Sequence, residues 1–321
     1  MMRKLHIAVA AVAWVCASAQ ARAQDDHIPF PVDSIEQWLG YDPFEVAAAT
    51  GTRWEGDRTQ RVTLRFPDGF GMLVKWAKAP PGGERFNNVP RYELAAYELQ
   101  KLFLDEPDYV VPPTVIRAFP LEWCLEFDRG AESTFPGTFS VVVVLQYWLW
   151  QVTFDDWWDE DRFEEDVLYA WHLANMNILT YLIDHKDSNL GNFLVSKDSA
   201  NPRVFSVDNG LAFGSPISDR GTEWGDIRVD RLPRETVERL RELTMQDLQD
   251  ALGVLAQFEV RDRRLVRVEP TENLEPGDGI RSRGDVIQFG LSSRDMRNLY
   301  RRLERLLERV DEGKYELFSR E

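Results

Sequence analysis

The chain opens its ordered-looking part with alternation. Arg61-Val62-Thr63-Leu64-Arg65-Phe66 has the period of two of a half-buried strand, Pro67-Asp68-Gly69 is turn chemistry, and Met72-Leu73-Val74-Lys75-Trp76 is a second run. A hairpin ending near a lysine is therefore predicted within about 46–78. Pro80-Pro81-Gly82-Gly83 breaks the chain, after which Leu94, Ala95, Tyr97, Leu99 and Phe103 recur at helical spacing and predict a helix over 92–104 with Glu93 as an early acid. A second strand-rich stretch follows, in which Val141-Val142-Val143-Val144-Leu145 is apolar enough for a strand buried on both faces.

Beyond Trp148 the period changes to that of helices. Residues 164–182 carry apolar positions at Val167, Leu168, Trp171, Met176, Ile178 and Leu179, and two amphipathic helices are predicted at about 233–255 and 293–311. After the first of these helical stretches, Asn192-Phe193-Leu194-Val195 and Val204-Phe205-Ser206-Val207 bracket a polar turn and predict a small hairpin. Strands first and helices later predict a two-lobed α+β protein, and the absence of an internal repeat or low-complexity linker favours one integrated unit. The boundaries read as a lead-in at 24–45, a strand-rich lobe at 46–150 and a helical lobe at 151–321.

Composition narrows the classes of function. A chain of 321 residues with 44% hydrophobic positions can build a substantial core, and a formal charge of −16 speaks against nucleic acid as the main partner. Any anion site must be local. Arg3 and Lys4, the apolar run Ile7 to Ala17 and Ala21-Arg22-Ala23 read as a cleaved export signal over residues 1–23, too short to span a membrane. Cleavage would remove three cations and no acids, leave no stable membrane span, and put the protein in a periplasmic or extracellular compartment. Only Cys124 would then remain, so no internal disulfide is expected. His27, His172 and His185 are scattered, without zinc-type spacing.

The segment most informative about chemistry is His185-Lys186-Asp187-Ser188-Asn189-Leu190-Gly191-Asn192-Phe193-Leu194-Val195. An Asp followed five residues later by an Asn, just before a short apolar strand, is the arrangement by which a kinase-type loop sets two oxygen-bearing groups around a metal-bound triphosphate. Asp187 would face an acceptor hydroxyl, and Asn192 would offer a hard oxygen to Mg²⁺ or Mn²⁺. Val207-Asp208-Asn209-Gly210-Leu211-Ala212-Phe213-Gly214 then takes an Asp out of a strand into a turn, as a metal-bridging carboxylate requires. Upstream, a lysine is needed on the phosphates and a carboxylate on the following helix to hold its stem. Lys75 and Glu93 fit; Lys78 competes with Lys75 but lies after the apolar pattern.

The order LVKWAK, RYELAAYELQKLF, YVVPPTVIR, HKDSNLGNFLV and VDNGLAFG resembles an atypical protein-kinase-like fold, nearest to the secretory-pathway casein kinases of the Golgi and their bacterial relatives. Phosphatidylinositol 4-kinases and HipA-type kinases share the pattern more distantly. The resemblance covers about 46–311. It implies a bilobal kinase with ATP between the lobes, Lys75 and Glu93 as an ion pair at the nucleotide, Asp187 as base, and Asn192 and Asp208 as ligands of Mg²⁺ or Mn²⁺. Three features depart from it, one being that the Golgi enzymes rely on disulfides that this chain cannot form. Thr50-Gly51-Thr52-Arg53-Trp54-Glu55-Gly56 is the one weak candidate for a phosphate loop, and Asn189 stands where many protein kinases have a lysine.

The expected activity is thus an exported, metal-dependent transfer of the γ-phosphate of ATP to a hydroxyl acceptor, with a protein as the leading acceptor and a lipid, sugar or other small molecule as alternatives. A secreted pseudokinase scaffold and nucleotidyl transfer are the rivals. Eight of the twelve residues 155–166 are acids, which reads as a solvated helix start or as a platform for a basic protein substrate. Trp157 and Trp158 within that run read as core. His185 would orient backbone, Cys124 would be a buried small residue, and Arg228, Arg231, Arg234 and Arg239 read as a solvated helix or as anion ligands.

Overall fold

The computed structural model describes residues 27–51, 59–216 and 219–320. The expected export signal lies outside these residues, and so does most of the phosphate-loop candidate. The lead-in contains a helix, α1 (Val32–Gly40), whose Ile35 and Leu39 are fully buried. Next come β1 (Glu45–Gly51), β2 (Thr59–Arg65), β3 (Gly71–Lys78), α2 (Pro90–Gln100), β4 (Thr114–Pro120), α3 (Leu121–Cys124) and β5 (Ser140–Tyr147). The five strands form one antiparallel sheet in the order β1-β2-β3-β5-β4. Pro90 suits the first turn of α2, where its missing N–H is no loss.

Strand β5 is buried at every residue and divides the interior in two. Its Val141, Val143 and Leu145 join Val74, Trp76 and α1 on one side, while Val142 and Val144 join α2 and the later helices on the other. A strand with apolar residues at consecutive positions serves both cores because its side chains alternate. The same alternation puts Lys75 of β3 on the α2 side and Lys78 on the opposite side.

The chain continues with β6 (Val152–Thr153), α4 (Glu160–Glu165), α5 (Val167–Leu182), β7 (Phe193–Ser196), β8 (Val204–Ser206), β9 (Arg231–Pro233), α6 (Arg234–Glu242), α7 (Met245–Leu252), β10 (Ala256–Arg261), β11 (Arg264–Val268), β12 (Ile280–Arg283), β13 (Val286–Phe289), α8 (Ser293–Asp311) and β14 (Glu316–Phe318). The central helix α5 is buried all round from Tyr169 onward. Strands β7 and β8 form the expected hairpin, with β6 on its edge. Among the described residues, no helix is long and apolar enough to cross a membrane.

Two helices predicted as single are each divided by a capping side chain. The Asp166 carboxylate accepts from the amides of Leu168 and Tyr169, both at 3.1 Å, and so starts α5 afresh after α4. Thr244 and Asp247 form a capping box that separates α7 from α6. The larger departure is a four-stranded sheet, β11-β10-β13-β12, in a region read as helical. It lies along the first sheet: the Phe139 amide donates to the Arg263 carbonyl at 2.6 Å, and the Leu265 amide to Ser140 Oγ at 2.9 Å.

Candidate active site

Four separate pieces of chain meet beside the first sheet. Strand β3 directs Lys75 toward α2, whose first turn carries Glu93, and Lys75 Nζ donates to Glu93 Oε1 at 2.7 Å and to Asp208 Oδ1 at 2.9 Å. The Asn209 amide donates to the second oxygen of Glu93 at 3.2 Å, so the helix carboxylate ties the lysine and the Asp208 turn together. Asp208 itself has φ of 59°, a left-handed conformation that Asp tolerates better than most residues. Burial alone would lower the Lys75 pKa, but Asp208 and Glu93 outweigh it and hold the ammonium above the ordinary lysine value. Lys75 in turn holds the Asp208 carboxyl below its usual range, while burial pushes Glu93 up.

Facing this group is the loop after α5. The Asp187 carboxylate accepts from Arg220 at 3.0 Å and from the Asn189 amide at 3.3 Å, and the Asp187 amide donates to His185 Nδ1 at 3.3 Å. His185 is fully buried, and burial lowers its pKa to about 4, so a neutral ring orders the loop backbone. The Lys186 amide donates to the Leu211 carbonyl at 2.8 Å and the Phe213 amide to the Ile183 carbonyl, which pins this loop to the Asp208 turn.

Asn192 and Asp208 come together through strand register. Phe193 pairs with Ser206 in the β7–β8 hairpin, and the Val207 amide donates to the Asn192 carbonyl at 2.9 Å, so the two residues end on the same edge. The Asn192 side-chain amide donates to the Asp187 carbonyl at 3.0 Å, leaving its oxygen for other work. Among the described residues, no group of three or more His, Cys, Asp and Glu is placed to hold a metal. One carboxylate and one amide oxygen fit Mg²⁺ or Mn²⁺ as a pair whose coordination a nucleotide's phosphates would complete.

All five residues singled out in the sequence, Lys75, Glu93, Asp187, Asn192 and Asp208, are thus linked in one cluster. Lys78 is not; it pairs with Asp128 in the other core. The arginine cluster is also elsewhere: Arg231 donates to the carbonyls of Phe163 and Glu164, Arg234 to that of Leu317, and Arg239 makes a two-pronged pair with Asp105 at 2.8 and 2.9 Å. Arg228 lies over Trp224. In the acid run, Asp159 and Asp166 cap helices, and Trp157 packs against Phe193 and Trp224. Cys124 is buried, and burial raises its thiol to about 12. Arg220 was invisible in the sequence because no motif surrounds it.

A second set of contacts fixes α2 from behind. Arg91 NH1 donates to Asp295 at 2.8 Å and Arg91 Nε to Glu84 at 2.6 Å, while Asp295 also closes the capping box that starts α8. Gly214 passes so close that a Cβ there would stand 2.5 Å from Asp295 Oδ1, so the residues after the Asp208 turn need glycine at this point.

No family model matches the chain, and no curated protein matches it. Solved structures do. A Fam20 protein of hydra, solved with a sugar, superposes with a TM-score of 0.54 at 16% identity over 91% of this chain and 94% of its own. The Golgi casein kinase with Mn and ADP bound gives 0.50 at 13% identity over 87% of this chain and 75% of its own. The fold is therefore that of an atypical protein kinase, with a strand-rich sheet early in the chain and helices later.

Proposed function

We propose that the protein is an ATP- and divalent-metal-dependent phosphotransferase that moves the γ-phosphate to a hydroxyl acceptor, with a protein as the leading acceptor. The observation that carries this reading is the bridge from Lys75 to both Glu93 and Asp208 in a cluster that also holds Asp187 and Asn192. In this mechanism Lys75 binds the α- and β-phosphates, and Glu93 holds its stem so that little side-chain freedom remains to be lost on binding. Asn192 and Asp208 would hold Mg²⁺ or Mn²⁺, which supplies neutralisation of the phosphate oxygens. Asp187 orients the acceptor hydroxyl and takes its proton as the new O–P bond forms and the bond to the leaving ADP breaks.

The export signal read from the sequence at 1–23 would put this activity outside the cytoplasm. The Mn and ADP seen on the Golgi casein kinase belong to that protein, and they support the choice of nucleotide and metal here because the fold is shared. Two variants test the assignment. Asp187→Ala and Asp208→Ala are expected to lose phosphoryl transfer by ~10²-fold or more while keeping the wild-type circular dichroism spectrum. Undiminished transfer in both would remove the assignment. Millimolar ATP with Mn²⁺ should also raise the melting temperature of the wild type by mass action, and no rise would favour a scaffold without nucleotide.

A further inference from the structure

Charge balance within the cluster involves a residue outside the five. Three carboxylates, those of Glu93, Asp187 and Asp208, belong to the cluster, and Lys75 is already shared between two of them. A triphosphate would add further negative charge, and the Lys75 ammonium is already engaged by Glu93 and Asp208. The loop offers little help: Asn189 is uncharged, and the Lys186 ammonium is committed to Asp184 at 3.0 Å. Among the described residues, Arg220 is the cation paired with Asp187. Its guanidinium donates to Asp187 Oδ2 at 3.0 Å, and its side chain is 48% exposed while that of Asp187 is 4% exposed. The arginine therefore covers the Asp187 carboxylate from the solvent side, within the field of Asp208 as well.

We infer that Arg220 is a phosphate-binding residue of the active site, which leaves Asp187 to engage the γ-phosphate when nucleotide enters. This inference rests on the phosphotransferase reading. A planar guanidinium presents two parallel donors to phosphate oxygens, and charge spreads over those oxygens in the transition state, so the contact should strengthen as the reaction proceeds. The same movement uncovers the Asp187 oxygen for the acceptor hydroxyl. Binding of the triphosphate and exposure of the base are thereby coupled through one side chain.

The test compares wild type, Arg220→Ala and Arg220→Lys for binding of ADP and of a non-hydrolysable ATP analogue with Mn²⁺ by calorimetry, together with kcat and KM for ATP. Arg220→Ala is expected to lose ~10-fold or more in affinity for the triphosphate with ADP affinity unchanged, and ~10² in kcat, with Arg220→Lys recovering part of both. An unchanged ratio of triphosphate to diphosphate affinity would overturn the inference while leaving phosphoryl transfer by the wild type in place. So would a rise in kcat, which would make Arg220 a plug over Asp187, or a change confined to the KM of the acceptor. A wild type that binds neither nucleotide would remove both readings.

Discussion

Lys75 shows how much of a site can rest on one ammonium. It stands between two carboxylates, one of them buried with it, and removing it leaves Glu93 and Asp208 to repel each other. Breaking a buried pair from one side typically costs on the order of 3–5 kcal/mol, because the remaining charge is uncompensated. Lys75→Met is therefore expected to lower the urea midpoint strongly, and adding Glu93→Gln should restore a good part of it, since the glutamine is neutral and keeps an acceptor for the Asn209 amide. Neither variant should regain phosphoryl transfer. A double variant no more stable than the single one would contradict this account of the cluster. At this scale the sequence was informative where a residue sits inside a pattern: Lys75 in an alternating strand, Asp187 and Asn192 before an apolar run, Asp208 after one. Arg220 sits in no such pattern, and its place depends on a long-range contact to Asp187.

At the level of elements, strong periodicity was read correctly and polar interiors were not. α8 matches the predicted 293–311 because its buried Met296, Leu299, Leu303, Leu306 and Val310 mark a plain apolar stripe. The sheet β11-β10-β13-β12 escaped because its interior includes polar residues. Arg281 is 2% exposed, with its guanidinium donating to the carbonyls of Glu275, Asp278, Gly253 and Leu291, and buried Gln288 donates to Gln257. Such residues break the alternation that marks a strand. The buried helix α5 yields a pH prediction. It carries His172, which burial holds at a pKa of about 4 against an ordinary 6.5. Between those values the unfolded chain binds the proton more readily, so the folded state is favoured fully above 6.5 and loses up to about 3 kcal/mol as pH falls toward 4. In His172→Phe the urea midpoint should fall less steeply over that window than in the wild type. Equal slopes would contradict the assignment.

For the whole molecule, an acidic chain and the proposed phosphate site are compatible because the anion would be met locally. In the proposed reading, Lys75, Arg220 and a metal at Asn192 and Asp208 would supply positive charge in a chain whose net charge is −16. The order of motifs along the chain conveyed the fold; the return of its last third to the first sheet did not show, since contacts such as Leu265 to Ser140 join residues far apart in sequence. The central claim is that the phosphoryl group at the γ position is what moves. It is tested most directly by incubating the wild type and Asp187→Ala with Mn²⁺ and ATP labelled at either the α or the γ position, together with protein and sugar acceptors, and following label into acceptor, into the enzyme and into free phosphate. The account predicts transfer of the γ label by the wild type, none of the α label, and loss of transfer in the variant. Transfer of the α label, or no movement of either label by the wild type, would contradict it.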